Sequence, residues 1–157
     1  MVLPVSGNSF WSNVAFWSAF VGWMLAQAYK FVRHYLRTGD RDFGYFVSTG
    51  GMPSAHSASV SALATAVGLI CGFGSPEFAI STVVALIVMF DAQGVRHAAG
   101  QQARMVNEIV DELMKQHHWP RRQKLAELLG HTRHEVFAGM GLGIVCAIVM
   151  NWLWCRF

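Results

Sequence analysis

The chain has 157 residues, of which 54% are hydrophobic and 13% charged, with a net charge of +3. That length suits a single domain over residues 1–157. The charged fraction is far below the roughly one quarter usual in soluble domains, which argues against an ordinary soluble fold and directs attention to where the few charges lie.

The first stretch, Met1–Tyr29, has no charged side chain. It lacks the basic start and small-residue cleavage site of a secretory signal, so Phe10–Val32 reads as a retained membrane span. A basic loop follows, with Lys30, Arg33, Arg37 and Arg41. The second stretch, Phe43–Pro76, contains only Tyr45, His56 and Cys71 as ionisable groups. It closes on Gly72, Gly74 and Pro76, which is turn chemistry. The third, Phe78–Phe90, is short. It reaches the roughly 20 residues that a span needs only if its helix runs past Asp91 toward Arg96.

A long polar segment, His97–Gly130, comes next. Val106, Ile109, Val110, Leu113 and Met114 recur there at helical spacing, as expected for an amphipathic helix in the headgroup zone. Trp119-Pro120 is expected to break it, with a short second helix over Arg121–Leu129. The last stretch, Val136–Cys155, again has no charge. The fold expected is all-α: an integral membrane bundle of four transmembrane helices, with one amphipathic interfacial helix between the third and fourth. Cys71, Cys146 and Cys155 have no paired spacing and read as small buried hydrophobes.

Eleven of the twelve Lys and Arg residues fall between the first and second spans or between the third and fourth. With four spans, both basic segments lie on one side. The positive-inside tendency makes that side cytoplasmic.

Several polar residues exceed what a membrane scaffold requires. Gly50-Gly51-Met52-Pro53-Ser54 forms a turn into the second span, and Ser54 sits at a helix N-terminus, where unpaired N–H groups and the helix dipole favour anions. A plain capped helix start is the simpler reading of that segment alone. Asp91 at a span end is either functional or half of an ion pair with Arg96 or Lys30. Arg96 suits either a forked grip on phosphate or snorkelling to the interface. His131 and Glu135 are four apart and share a helix face, so the carboxylate can fix the ring's tautomer. Jointly, Lys30, Ser54, His56, Arg96, His131 and Glu135 come from four spans or their edges and meet at one face. Cations, a helix N-terminus and two histidines there describe a site for a phosphate dianion.

The strings Ser48-Thr49-Gly50-Gly51-Met52-Pro53-Ser54-Ala55-His56-Ser57-Ala58, Phe90-Asp91-Ala92-Gln93-Gly94-Val95-Arg96 and Leu128-Leu129-Gly130-His131-Thr132, followed by Glu135-Val136-Phe137-Ala138-Gly139, carry a family resemblance. The sequence resembles the divergent branch of the type 2 phosphatidic acid phosphatase family, relatives of vanadium-dependent haloperoxidases. Lys30 and Arg37 keep the spacing of that family's first signature, with Thr38 in place of its proline and Arg41 as a second candidate arginine. Pro53-Ser54-Ala55-His56 matches the second signature. Arg96 and the pair His131/Glu135 match the third, with an insertion between them and Glu in place of Asp.

The resemblance implies a lipid phosphate phosphatase that needs no cofactor and no metal. His131 would be the nucleophile, Glu135 its orienting acid, and His56 the proton donor and later the base. Lys30, Arg37 or Arg41, Ser54 and Arg96 would bind phosphate, with Asp91 and Gly51 in support. The partners expected are a lipid phosphate and membrane lipids, with no nucleic acid; a homodimer is left open. A non-catalytic relative that binds phospholipid headgroups or a protein partner is the alternative. A third reading places a divalent ion among Asp91, Glu108, Asp111 and the histidines.

Overall fold

The computed structural model describes residues 9–39, 51–117, 125 and 131–156. All regular structure among them is helical. A short 3-10 turn, Phe10–Ser12, leads into α1 (Val14–Thr38), α2 (Ala55–Cys71), α3 (Pro76–Gln93), α4 (Val95–His117) and α5 (Arg133–Trp154).

Local chemistry sets the ends. Asn13 accepts from the Phe16 N–H at 3.0 Å and caps α1, which stops at Gly39 with φ 71°. Ser54 caps α2. Ser75 caps α3, with Pro76 as its first residue, where a missing N–H costs nothing. Thr132 and Glu135 form a reciprocal capping box that starts α5.

The expected path holds, with three corrections. α1 runs past Val32 to Thr38. The helix in the second stretch begins only at Ala55, because Gly51–Ser54 form the turn into it, so α2 is 17 residues long and about 25 Å. The amphipathic helix starts at Val95, earlier than its periodic residues suggested. α3 does continue through Asp91, to Gln93. The proposed break at Trp119-Pro120 and the helix over Arg121–Leu129 lie outside the described residues.

α2 is the centre of the bundle and packs against α1, α3 and α5, while α5 also touches α1 and α3. Among the described elements α4 meets only α3. The interior is made of small residues. Ala26 of α1 meets Ala55 and Ala58, and Ala62 and Ala66 meet Ala147 of α5. Gly139 and Gly143 face the backbone of α2 so closely that an added Cβ would strike Ser54 O and Ala58 O respectively. Two glycines four apart let helix backbones touch.

The large apolar side chains point outward instead. Leu25, Val32 and Leu36 on α1, Ile80, Val83, Ile87 and Phe90 on α3, and Phe137, Val145 and Ile148 on α5 are all exposed. An apolar exterior around a small-residue interior suits lipid as the surrounding solvent. Two helical stretches, Pro76–Met114 and Arg133–Trp154, each contain an 18-residue segment apolar enough to cross a bilayer, with mean hydropathy 1.9 and 2.0 in those segments. α1 falls short of that hydropathy because Trp17, Trp23, Gln27 and Lys30 lie in it, and α2 falls short in length.

Candidate active site

The alternation of direction along α1, α2, α3 and α5 brings four helix ends together. They are the C-terminal parts of α1 and α3 and the N-termini of α2 and α5. Two backbone hydrogen bonds tie three of them. The Ser54 N–H donates to Glu135 O at 3.0 Å, joining α2 to α5. The His131 N–H donates to Ala92 O at 2.9 Å, joining the start of α5 to α3. α3 ends at Gln93 with Gly94 as its cap, and a helix end releases carbonyls that need outside donors. Ala92 O finds its donor in His131.

His131 is buried and lies just ahead of α5. Its Nδ1 is 3.2 Å from Glu135 Oε2, and the same oxygen accepts from the Thr132 N–H at 3.0 Å. Glu135 N–H returns a bond to Thr132 Oγ1 at 3.4 Å. The capping box therefore fixes the carboxylate, and the carboxylate fixes the imidazole. Glu135 as carboxylate has no hydrogen to give, so the neutral ring carries its hydrogen on Nδ1 and keeps a lone pair on Nε2. Burial pushes the His131 pKa below its ordinary value; the Glu135 hydrogen bond and charge oppose this, while the charges of Lys30 and His56 add to it.

His56 is the second residue of α2 and is half-buried. Its ring centroid is 6.4 Å from that of His131, with 55° between the planes. The two histidines thus face one region, as the sequence implied. Lys30 is buried at 4% exposure on α1, and its charge acts on both Glu135 and His131. One buried cation, two imidazoles and a carboxylate therefore converge.

Ser54 is fully buried, and its Oγ accepts from Ser57 N at 3.3 Å and Ser57 Oγ at 3.1 Å. Its hydroxyl is thus committed to starting α2. Gly51 has φ 88°, a left-handed conformation suited to glycine, and stands three residues ahead of that cap. Asp91 is half-buried in the last turn of α3, next to Ala92. Arg37 is exposed in the last turn of α1, about 10 Å along the axis from Lys30. Arg96 is the second residue of α4, and its side chain is not among the described groups. Arg41 lies outside the described residues.

Four further residues contribute that the motifs do not single out: Thr132, Gly139, Gly143 and Gln27. Thr132 and Glu135 have the Thr-x-x-Glu spacing of a capping box, and Thr132 holds Glu135 in place. Gly139 and Gly143 show the small-xxx-small spacing that seats α5 on α2. Gln27, buried one turn from Lys30, gave no signal. Among the described residues no group of three or more His, Cys, Asp or Glu is placed to hold a metal. Glu108 pairs with Arg104 at 3.2 Å on an exposed face of α4.

The family model described as the divergent PAP2 family matches residues 11–146. The uncharacterized membrane protein YuiD of Bacillus subtilis (strain 168) is 38% identical over 149 residues, covering 88% of this chain and 94% of that protein. No solved structure matches.

Proposed function

The chain belongs to the divergent PAP2 family of membrane proteins, and from that premise we propose that it is a phosphatase acting on the phosphate ester of a membrane lipid. The observation that carries the reading is the His131 ring, tethered by Glu135 and facing His56 across 6.4 Å beside buried Lys30. At that centroid separation both rings are close enough to serve one bound phosphoryl group, one attacking phosphorus and the other reaching the leaving oxygen.

The chemistry follows from the tautomer. The Nε2 lone pair of His131 attacks phosphorus, and the bond to the lipid oxygen breaks. Glu135 stabilises the Nδ1–H as the ring gains positive character. His56 gives its proton to the departing alcohol oxygen, then as a neutral base takes a proton from water. The hydroxide so formed attacks phosphorus, Nε2 departs, and inorganic phosphate leaves with both histidines restored. Lys30, joined by Arg96 and by Arg37 or Arg41, offsets charge on the phosphoryl oxygens, and the N-terminus of α2 adds its positive dipole end.

A phosphate held at this end of the bundle keeps its lipid tail beside the apolar outer faces of the helices. A phosphatidate-like monoester, a phosphatidylglycerophosphate-like monoester and a polyprenyl diphosphate all meet that description. The proposed placement is four spans in the cytoplasmic membrane, with the site on the cytoplasmic face, where the basic segments lie.

The test is phosphate release by the purified protein in micelles from these three lipids. Release that disappears in His131→Ala and His56→Ala, with both variants still folded, is the expected result. No release from any of the three by the wild type would overturn the proposal and leave headgroup binding without catalysis.

A further inference from the structure

The inner face of α1 at the site end consists of Ala26, Gln27 and Lys30, whereas Leu25, Tyr29 and Val32 are exposed. Ala26 packs on Ala55 and Ala58 at the start of α2. Lys30 acts electrostatically on Glu135 and His131. Gln27 lies between these two in sequence and on the same buried face, at 5% exposure. Among the described residues its buried Oε1 has no hydrogen-bond partner, a state shared by Ser18 Oγ and Thr82 Oγ1 in the halves of α1 and α3 remote from the site. A buried polar atom almost always has a partner, because desolvation without one is costly. An apolar residue would fill this position without that cost. The carboxamide therefore has a use that the bundle alone does not supply.

We propose that Gln27 is a substrate-binding residue whose Oε1 accepts a hydrogen bond from an O–H of the lipid phosphate head held beside Lys30. The inference rests on the phosphatase reading for the identity of the ligand, and it names a head-group contact that the motif residues do not include. A neutral acceptor next to a cation divides the work. Lys30 answers the charge of the phosphoryl oxygens, while Gln27 recognises the one oxygen that bears hydrogen. That oxygen is either a protonated phosphoryl oxygen or a hydroxyl on the head.

The test compares wild type with Gln27→Leu and Gln27→Met on two substrates of equal acyl length: phosphatidate, whose only head O–H is on phosphorus, and lysophosphatidate, which adds a free hydroxyl. Three readouts are used: KM, kcat, and the thermal unfolding midpoint in micelles. The expected result is a KM raised roughly 2- to 10-fold with little change in kcat, and an unfolding midpoint equal to or above wild type. Weakening with both lipids assigns the contact to the phosphoryl O–H; weakening with lysophosphatidate alone assigns it to the hydroxyl. Unchanged KM with both lipids overturns the proposal. So does a fall in activity and unfolding midpoint together, which is what a merely structural amide would give. Binding of a phosphonate analogue of phosphatidate, read as a thermal shift of the same proteins, separates the two ideas. A wild type that binds this analogue but releases no phosphate sinks the hydrolase reading while leaving Gln27 testable on affinity.

Discussion

The Ser54 N–H donates to the main-chain oxygen of Glu135 at 3.0 Å. The residue that begins α2 is thereby bonded to the residue whose carboxylate holds His131. His56 lies two residues after Ser54 and His131 four residues before Glu135, so both histidines of the site take their positions from this one seam. The helix starts that carry His56 and His131 are therefore tied to one another.

Glu135 has two tasks, and substitution separates them. Glu135→Gln keeps an amide oxygen for the Thr132 N–H but removes the charge. Phosphate release is expected to fall on the order of 10²- to 10⁴-fold with the unfolding midpoint little changed. Glu135→Ala also loses the cap and is expected to cost a further ~1 kcal/mol of stability. Release assays and thermal unfolding of both variants check this.

The two glycines of α5 should be intolerant where a third is not. A Cβ at Gly139 or Gly143 would strike the backbone of α2, whereas at Gly141 it meets nothing within 4 Å. Gly139→Ala and Gly143→Ala are each expected to cost about 1–3 kcal/mol or more, since backbone cannot swing aside as a side chain can. Gly141→Ala is expected to be neutral or to stabilise by up to about 1 kcal/mol, as alanine favours helix. Unfolding midpoints of the three variants decide it, and activity should follow Gly139→Ala downward because Ser54 is the atom group displaced.

The depressed pKa of His131 fixes a direction with pH. An imidazole whose folded pKa lies below its unfolded value leaves stability complete above about pH 6.5. Below that, the unfolded chain binds the proton first, and stability declines as pH falls toward the folded pKa. Thermal unfolding between pH 5 and 7.5 should show this slope, and His131→Gln should flatten part of it. Because the nucleophile stays neutral, the acid limb that it contributes to phosphate release should lie below pH 6.5. A limb assigned to His131 above that value would contradict the burial argument.

Lys30 should matter to chemistry more than to folding. Its ammonium is buried, and burying a charge is costly even beside a carboxylate. Lys30→Met is expected to lower phosphate release about 10²- to 10³-fold while leaving the unfolding midpoint near wild type or higher. Lys30→Arg is expected to rescue only in part, because a planar fork does not occupy the place of a compact ammonium.

The sequence made some of this legible and hid the rest for physical reasons. His131 and Glu135 were readable because a spacing of four fixes a shared helix face whatever surrounds it. His56 and Lys30 followed from the alternation of helix direction, which brings their ends to one side. The length of α2 was not readable from an uncharged run, because Gly51–Ser54 turn without using charge. An uncharged run also does not fix how apolar α1 is: Trp17, Trp23 and Gln27 carry no charge, yet none is strongly apolar. The bond from His131 to Ala92 depends on where α3 stops, and Gly94 states that only weakly, since its backbone is not left-handed but near helical. Gln27 reads as one more polar residue near a basic loop until its burial is known.

An interior of alanine, serine and glycine gives this bundle little reason to collapse in water. The preference for close approach over mere proximity comes from shape, at Gly22, Gly139 and Gly143, and from the lipid that takes up the bulky outer residues. Stripping that lipid with a short-chain detergent should therefore slide the helices against one another before any of them unwinds. Helical circular dichroism would persist while phosphate release fades, because the gap between two imidazoles is held by the fit of neighbouring rods.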